Sequence, residues 1–168
     1  GYRENYKNFD ILLKTFYSSP KLKKDFDIIC FGGSQFNDDE INKISKYRLT
    51  DLVKYISGDD QKLSDLYASA SCHVITSKYE GFGITAVEAM NLNCPVISSN
   101  KGSMPEIIAD DNDLFDPDHF EDLKNKLEKL LISDELKKQK IKNGKIHSKK
   151  FTWEKCAEKT LDLYNSLT

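Results

Sequence analysis

Residues 72–99 read CHVITSKYEGFGITAVEAMNLNCPVISS, and this stretch decides the fold. The runs CHVITS (72–77) and PVISS (95–99) are short and mainly apolar, which is typical of strands buried in a parallel sheet. The segment between them, around Glu88, has the composition of a helix. A strand, a helix and a second strand at this spacing predict a right-handed βαβ crossover.

The same alternation of strands and helices continues toward the N-terminus. FDIICF (26–31) and LVKYIS (52–57) read as two further buried strands. A first helix is predicted from its apolar face, with Asn8 as N-cap and Pro20 beyond its end; the face consists of Phe9, Leu12, Leu13, Phe16 and Tyr17. Two further helices are predicted near residues 38–47 and from about Asp60 to Ala70. We therefore expect an α/β protein with a doubly wound parallel sheet of the Rossmann-like type.

Past Pro117 the sequence becomes mainly helical. One apolar stripe contains Phe120, Leu123, Leu127 and Leu130, and a second contains Trp153, Cys156, Ala157, Thr160, Leu161 and Tyr164, with Thr152 as a cap. The length of 168 residues predicts one domain over residues 1–168, with C-terminal helices at about 118–168. The opening GYRENYKN resembles a loop that follows a strand, so we expect more protein before Gly1.

The composition excludes several classes of function. A formal net charge of −2 argues against general nucleic-acid binding. No stretch approaches the roughly 20 apolar residues that span a bilayer, and no signal peptide opens the chain. The cysteines (Cys30, Cys72, Cys94, Cys156) and histidines (His73, His119, His147) are dispersed, which favours small buried cysteines, as expected in the reducing cytoplasm, and no metal site.

Three loops should converge at the carboxyl ends of the strands, where ligands bind to such sheets: residues 1–8, 57–60 and 77–83. In the last loop, Gly81 and Gly83 let backbone N–H groups approach a ligand closely. The helix N-terminus beyond them favours a phosphate group. The alternative is a tight turn that binds nothing.

Two glutamates accompany this loop. The neighbours of Glu88 are nearly all apolar, which predicts a buried helix and a buried carboxylate. Burial of that carboxylate would cost several kcal/mol unless polar groups meet it, either a protein partner or the hydroxyls of a ligand such as a ribose. Glu80 should face the same opening, with a solvated loop carboxylate as the alternative.

Two cations, Arg3 and Lys7, flank the first helix start at a strand's carboxyl end. Cations in that place suit a diphosphate and would stabilise it as a leaving group without a metal. The alternative is a pair of ordinary surface charges.

Taken together, these motifs closely resemble the C-terminal, donor-binding domain of the family 4 glycosyltransferases, which are retaining enzymes of the GT-B fold. The resemblance is strongest at EGFGITAVEAM (80–90), where Glu80 and Glu88 match a paired-glutamate signature. It extends over GYRENYKN, YISGDDQKLSDLYASA, CPVISS, SMPEIIADDNDLFDP and FTWEKCAEKTLDLY, and so over essentially the whole chain. The chain departs from the family at Asn93 and Cys94, where a glycine is common.

The resemblance implies a role for each matching residue. Glu88 would hold the ribose of a GDP- or UDP-sugar, and Glu80 would contact hydroxyls of the donor sugar. The diphosphate would be surrounded by Gly81, Phe82, Gly83, Ile84 and Thr85. Arg3 and Lys7 would neutralise the leaving diphosphate, and Ser57, Gly58 and Asp59 would face the nucleobase. No cofactor or metal is implied.

The resemblance also implies an N-terminal acceptor-binding domain that this chain lacks, so the chain alone should be inactive. The expected activity is transfer of a hexose to a glycan, a lipid-linked acceptor or a small molecule. A non-catalytic nucleotide-sugar-binding module and a flavodoxin-like interaction domain are the alternatives. Four lysines at helical spacing, Lys138, Lys142, Lys145 and Lys149, form either a solvated face or a contact with the inner face of an anionic membrane.

Overall fold

The computed structural model describes Arg3 and residues 5–167. Parallel strands alternate with helices in the order α1 (Phe9–Ser18), α2 (Pro20–Asp25), β1 (Ile28–Phe31), α3 (Asp38–Lys46), β2 (Val53–Ile56), α4 (Asp60–Ser69), β3 (His73–Ile75), α5 (Ile84–Asn91), β4 (Val96–Ser99), α6 (Met104–Ile107), β5 (Leu114–Phe115), α7 (Phe120–Ile132), α8 (Asp134–Ser148) and α9 (Trp153–Ser166). The predicted strands and longer helices are confirmed, while α2, α6 and β5 lack a clear signal in the sequence.

Both parts of the sheet are parallel. β1 pairs with β2, with Ile28 opposite Val53, and the second part has the order β3-β4-β5, with His73 opposite Val96. The predicted α/β class with a parallel sheet is therefore confirmed. β4 lies in the middle of its part and is buried throughout, as its apolar sequence predicts.

Helix α1 buries most of the predicted apolar face. Phe9, Leu13 and Phe16 are buried, together with Ile11, whereas Leu12 is half-buried and Tyr17 is 49% exposed. Asn8 occupies the predicted N-cap position, but its side chain does not cap the helix, because its amide donates a hydrogen bond to the carbonyl of Pro117 instead. That bond ties the start of α1 to the segment before α7.

Pro20 does not merely follow α1. It occupies the first turn of α2, whose start is capped by the hydroxyl of Ser19, and proline is tolerated there because that N–H has no helical partner. The two helices therefore follow each other directly, without the loop that a proline suggests.

The C-terminal helices differ in how they pack. Leu123, Leu127 and Leu130 of α7 are buried, as predicted, and α8 packs against α5 through Gly144, where a Cβ atom would lie 3.0 Å from Met90 Cγ. In α9 the predicted cap Thr152 is confirmed, but every residue of the helix is exposed, including the apolar stripe. Its periodicity therefore predicts the helix correctly and its burial wrongly.

The prediction of buried cysteines holds for three of the four. Cys94 is buried and Cys30 and Cys72 are partly buried, and burial raises the pKa of the Cys30 and Cys94 thiols to about 11. Cys156 is exposed, because it lies on α9. The first three thiols therefore stay protonated at neutral pH and act as small apolar groups.

Candidate functional site

The centre of the candidate site is the carboxylate of Glu80, in the loop between β3 and α5. Its Oε1 accepts a hydrogen bond from Lys7 Nζ and another from Ser77 Oγ, each 2.6 Å long. Neither of these bonds uses Oε2. The side chains of Lys7 and Glu80 are 32% and 18% exposed, so the ion pair is partly shielded but open to a ligand.

Lys7 reaches Glu80 because the segment before α1 is attached to the end of β3. The N–H of Lys78 donates to the Tyr6 carbonyl (2.6 Å), and Thr76 Oγ1 donates to the Lys7 carbonyl (2.7 Å). Two of the three predicted loops therefore meet, as expected from the position of both at carboxyl ends of parallel strands.

The backbone of Glu80 is held as firmly as its side chain. Its carbonyl accepts hydrogen bonds from Ser103 N (3.1 Å) and Ser103 Oγ (3.0 Å). Gly102 lies against the same peptide with φ of 61°, and a Cβ atom there would be 2.4 Å from the Glu80 carbonyl oxygen. Three residues that hold Glu80 were not among the predicted site residues: Ser77, Gly102 and Ser103. Ser77 lies only three residues before Glu80, within the predicted loop 77–83.

Gly83 stands immediately before α5 and starts that helix. Its φ is 90°, and a Cβ atom would lie 2.0 Å from the buried Met104 Cε, so glycine is needed there. Gly81 is different, since apart from its two neighbours in the chain no described residue has an atom within 4 Å of the place where its Cβ would stand. The first N–H groups of α5 thus begin beside an open space, as expected for an anion site.

The prediction that Glu88 is a buried carboxylate is wrong. Ala86, Val87, Ala89 and Met90 are buried, and Glu88 lies on the exposed face of α5. Ile84 and Thr85, one turn earlier, are exposed as well. A short helix packed on one side only can bury most of its residues and still present one polar face to solvent.

Glu88 nevertheless has a protein partner. It lies close to the side chain of Tyr67, which is buried on α4. Partial desolvation and the negative charge of Asp60 raise the pKa of Glu88, and the nearby Tyr67 side chain opposes that shift. Burial, together with the charge of Glu88, raises the pKa of the Tyr67 hydroxyl. Glu88 therefore lies close to the start of α4.

The loop before α4 is exposed at Ser57, Gly58 and Asp59. The carboxylate of Asp59 accepts a hydrogen bond from Lys62 N (2.9 Å) and caps α4. Gly58 packs closely on Lys62, because a Cβ atom there would lie 2.8 Å from Lys62 Cβ. The charge of Asp60 contributes to the raised pKa of Glu88, so this loop lies near the face of α5 that carries Glu88.

Arg3 contacts other residues than the Lys7–Glu80 pair. Its guanidinium binds Glu40 at 2.9 and 3.2 Å, donates to the Ser34 carbonyl and stacks on the Phe36 ring at 4.8 Å. The Arg3 and Glu40 side chains are only 9% and 8% exposed. A diphosphate contact by Arg3 would require it to release Glu40, a partner 37 residues away that the sequence analysis missed.

Phe82, predicted to lie at the diphosphate, stacks edge-on against Phe151 with ring centroids 5.9 Å apart and stays 46% exposed. In the part of the chain that the structure describes, no three histidine, cysteine or acidic side chains come together as a metal site. Over the same residues, none of the helices has the length and apolar character that crossing a membrane requires.

A parallel α/β sheet with an acidic, glycine-rich loop leading into a helix N-terminus defines the class of α/β proteins that bind ligands at strand carboxyl ends. Residues 1–147 match the model of the family described as Glycosyl transferases group 1, and the chain belongs to that family. The predicted glycosyltransferase assignment is thereby confirmed.

Relatives and solved structures agree with this assignment. The chain is 29% identical to the O-antigen chain mannosyltransferase B of Escherichia coli over 99% of this chain and 45% of that protein. Sucrose-phosphate synthase from Thermosynechococcus elongatus superimposes with a TM-score of 0.83 at 26% identity, over 99% of this chain and 44% of that one. Anabaena HepE, solved in complex with UDP, gives a TM-score of 0.82 at 23% identity, over 99% of this chain and 47% of that one. The chain therefore spans less than half the length of these proteins, and the GT-B character of the fold is confirmed.

Proposed function

We propose that this chain is the C-terminal, donor-binding domain of a retaining glycosyltransferase that uses a nucleoside-diphosphate sugar. The observation that carries the proposal is the Glu80 carboxylate, fixed by Lys7 and Ser77 beside the N-terminus of α5. A cation, a carboxylate and free helical N–H groups within one opening match a ligand that joins an anionic diphosphate to a sugar rich in hydroxyls.

The diphosphate would lie against the start of α5. Gly81 leaves space for it, and the first turn of the helix, with Ile84 and Thr85, would supply N–H donors and the positive end of the helix dipole. Phe82 and Gly83 would shape the loop around it. Lys7 would neutralise the charge that develops when the bond between the sugar and the diphosphate breaks. Arg3 would assist only after releasing Glu40.

The sugar and the nucleoside would extend in opposite directions from the diphosphate. Glu80 would accept hydrogen bonds from sugar hydroxyls through Oε2, since its two observed bonds end on Oε1. Glu88 would accept bonds from the ribose hydroxyls on the exposed face of α5, with Tyr67 orienting its carboxylate. The neighbouring loop of Ser57, Gly58 and Asp59 would then face the base.

Two of the comparisons bear on the donor and the acceptor. The E. coli relative is by name a mannosyltransferase of the O-antigen chain, so we propose hexose transfer, with mannose the first sugar to test. UDP in the HepE complex supports a nucleotide, and a GDP-sugar and a UDP-sugar both remain candidates. The relatives' greater length supports an N-terminal acceptor-binding domain, without which this chain would not catalyse transfer. We propose a metal-independent reaction in the cytoplasm, with a glycan, a lipid-linked molecule or a small molecule as acceptor.

Titration calorimetry with GDP and UDP, in the presence of a metal chelator, tests the proposal. We expect saturable binding of one nucleotide and a loss of affinity of about tenfold or more in Glu88→Gln, because the amide replaces one acceptor oxygen by a donor. Glu121→Gln, at an exposed position in the first turn of α7, is the matched control and should bind like the parent. Equal affinity in Glu88→Gln and the parent would remove the ribose role, and saturable binding of neither nucleotide would reject the donor site.

A further inference from the structure

Residues 80–83, called here the 80–83 loop, lie between β3 and α5 and lead into the helix. The loop is held at its first residue, where the Glu80 carbonyl accepts hydrogen bonds, and at its last, where Gly83 packs closely against a methionine. At Gly81, no described residue beyond its chain neighbours meets the place of a Cβ atom. The position of Gly81 therefore depends on how Glu80 and Phe82, on either side of it, are fixed.

Phe82 is held by the ring of Phe151. The two ring centroids are 5.9 Å apart and the rings stand at 81°, which is the edge-to-face arrangement that aromatic pairs favour. Phe151 lies between the end of α8 and the start of α9, beyond the residues 1–147 that match the family model. The contact therefore brings to the loop a residue that the family match does not cover.

Phe151 is itself fixed by several contacts. Its N–H donates to the Ser148 carbonyl (3.0 Å), and its side chain packs against the buried apolar cluster to which Met104 belongs. The ring of His147 lies 5.5 Å from that of Phe151, and His147 Nε2 lies 3.4 Å from the carbonyl of Glu106 on α6. These contacts place Phe151 between the end of α8 and α6, so its ring is a firm support for a neighbouring ring.

The end of α8 is in turn attached to the C-terminal end of α5. Ser148, which is 1% exposed, donates from Oγ to Asn91 Oδ1 (2.7 Å). Lys145 Nζ donates to Asn93 Oδ1 (3.0 Å). The segment after α8 then reaches back to the 80–83 loop, before the first turn of α5. One continuous stretch of chain therefore holds the residues at both ends of this helix.

The ring of Phe82 adds little to the hydrophobic core, because Phe82 stays 46% exposed. A side chain that served burial alone would lie inside the apolar cluster, as Val87 and Met90 of α5 do. The contact with Phe151 therefore restricts where the loop stands more than it stabilises the protein as a whole.

We propose that Phe151 is a positioning residue for the candidate diphosphate site. Through Phe82 it keeps the 80–83 loop in the arrangement that leaves open space beside Gly81 and the start of α5. Without the ring of Phe151 the loop takes several orientations, and binding of a diphosphate then costs the entropy of ordering it. The effect on diphosphate binding rests on the proposed function, whereas the effect on the loop does not.

Amide hydrogen exchange, resolved by residue with NMR on the protein without nucleotide, tests the effect on the loop. Two amides report on it: Ala86 N–H bonds the Gly83 carbonyl (2.9 Å), and Ser103 N–H bonds the Glu80 carbonyl (3.1 Å). We expect both to exchange about three- to tenfold faster in Phe151→Leu, which keeps an apolar side chain without the ring. Phe151→Tyr keeps the ring and should exchange like the parent.

The reference amides lie at the other end of α5. Leu92 N–H bonds the carbonyl of Glu88 (3.1 Å), and Cys94 N–H bonds that of Ala89 (2.9 Å). Both should exchange equally in the parent and in Phe151→Leu, because a positioning role is confined to the loop. Unchanged exchange at the two loop amides would overturn the proposal. Faster exchange at the reference amides by the same factor would overturn it too, since the variant would then be destabilised throughout.

The titration with GDP and UDP, run on the same three proteins, tests the effect on the site. We expect Phe151→Leu to weaken nucleotide affinity about three- to tenfold and Phe151→Tyr to bind like the parent. Equal affinity in Phe151→Leu, with the loop amides exchanging faster, would refute the effect on the site. A parent that binds neither nucleotide would reject the donor site, while the exchange experiment still decides whether Phe151 holds the loop.

Discussion

Substitution of Gly102 by alanine should damage both the stability of the protein and its candidate site. The glycine has φ of 61°, and the new Cβ would lie 2.4 Å from the Glu80 carbonyl oxygen and 2.8 Å from its nitrogen. These are backbone atoms, so no side-chain rotation relieves the overlap, and the Glu80 peptide must move. The left-handed conformation costs about 1 kcal/mol for alanine. The two bonds from Ser103 to the Glu80 carbonyl contribute roughly 1 kcal/mol each.

The sum predicts a loss of about 3 kcal/mol in the free energy of unfolding. For a protein of this size that corresponds to a fall of roughly 6–12 °C in Tm, measured by circular dichroism. Nucleotide affinity should fall as well, because Glu80 carries the contact to Lys7. Gly81→Ala is the control for stability, because its Cβ would meet no described atom beyond the neighbouring residues. Its Tm should stay within about 2 °C of the parent, although the new methyl group would crowd the proposed diphosphate. A Gly102→Ala protein that melts like the parent would refute the reasoning.

Three further results are expected. Arg3→Ala leaves the Glu40 carboxylate, which is 8% exposed, without its cation. The free energy of unfolding, measured in urea, should fall by about 3 kcal/mol. A loss below about 1 kcal/mol would contradict a structural role for the Arg3–Glu40 pair. Burial lowers the pKa of His73 to about 4, whereas in the unfolded chain the ordinary pKa of histidine is near 6.5. The stability that depends on a neutral His73 is therefore complete above about pH 6.5 and is lost as the pH falls toward 4. Unfolding at pH 5 should therefore require about 2 kcal/mol less than at pH 7, and His73→Phe should remove that part of the difference. Lys7→Met should weaken nucleotide binding about tenfold, whereas Lys129→Met, at an exposed position on α7, should bind like the parent.

The sequence by itself predicted the order of the longer helices and of four strands, and the loop at which the candidate site lies. Short apolar runs and helical periodicity are local signals, and the runs at 26–31, 72–77 and 95–99 became β1, β3 and β4. Glycines and acidic residues after β3 mark the loop at its carboxyl end without any knowledge of packing. That local character also explains the correct family assignment, since EGFGITAVEAM is one continuous segment.

Only the tertiary structure decided which faces are buried and which residues meet. The apolar neighbours of Glu88 predict burial, but helix α5 packs on one side and leaves this carboxylate exposed, beside Tyr67. Periodicity cannot distinguish a stripe that faces the core from one that faces solvent, as α9 shows. Arg3 and Lys7 look alike in sequence, yet one is committed to Glu40 and the other to Glu80, 37 and 73 residues away. Such pairings depend on how distant segments are brought together, and this information exists only in the folded chain.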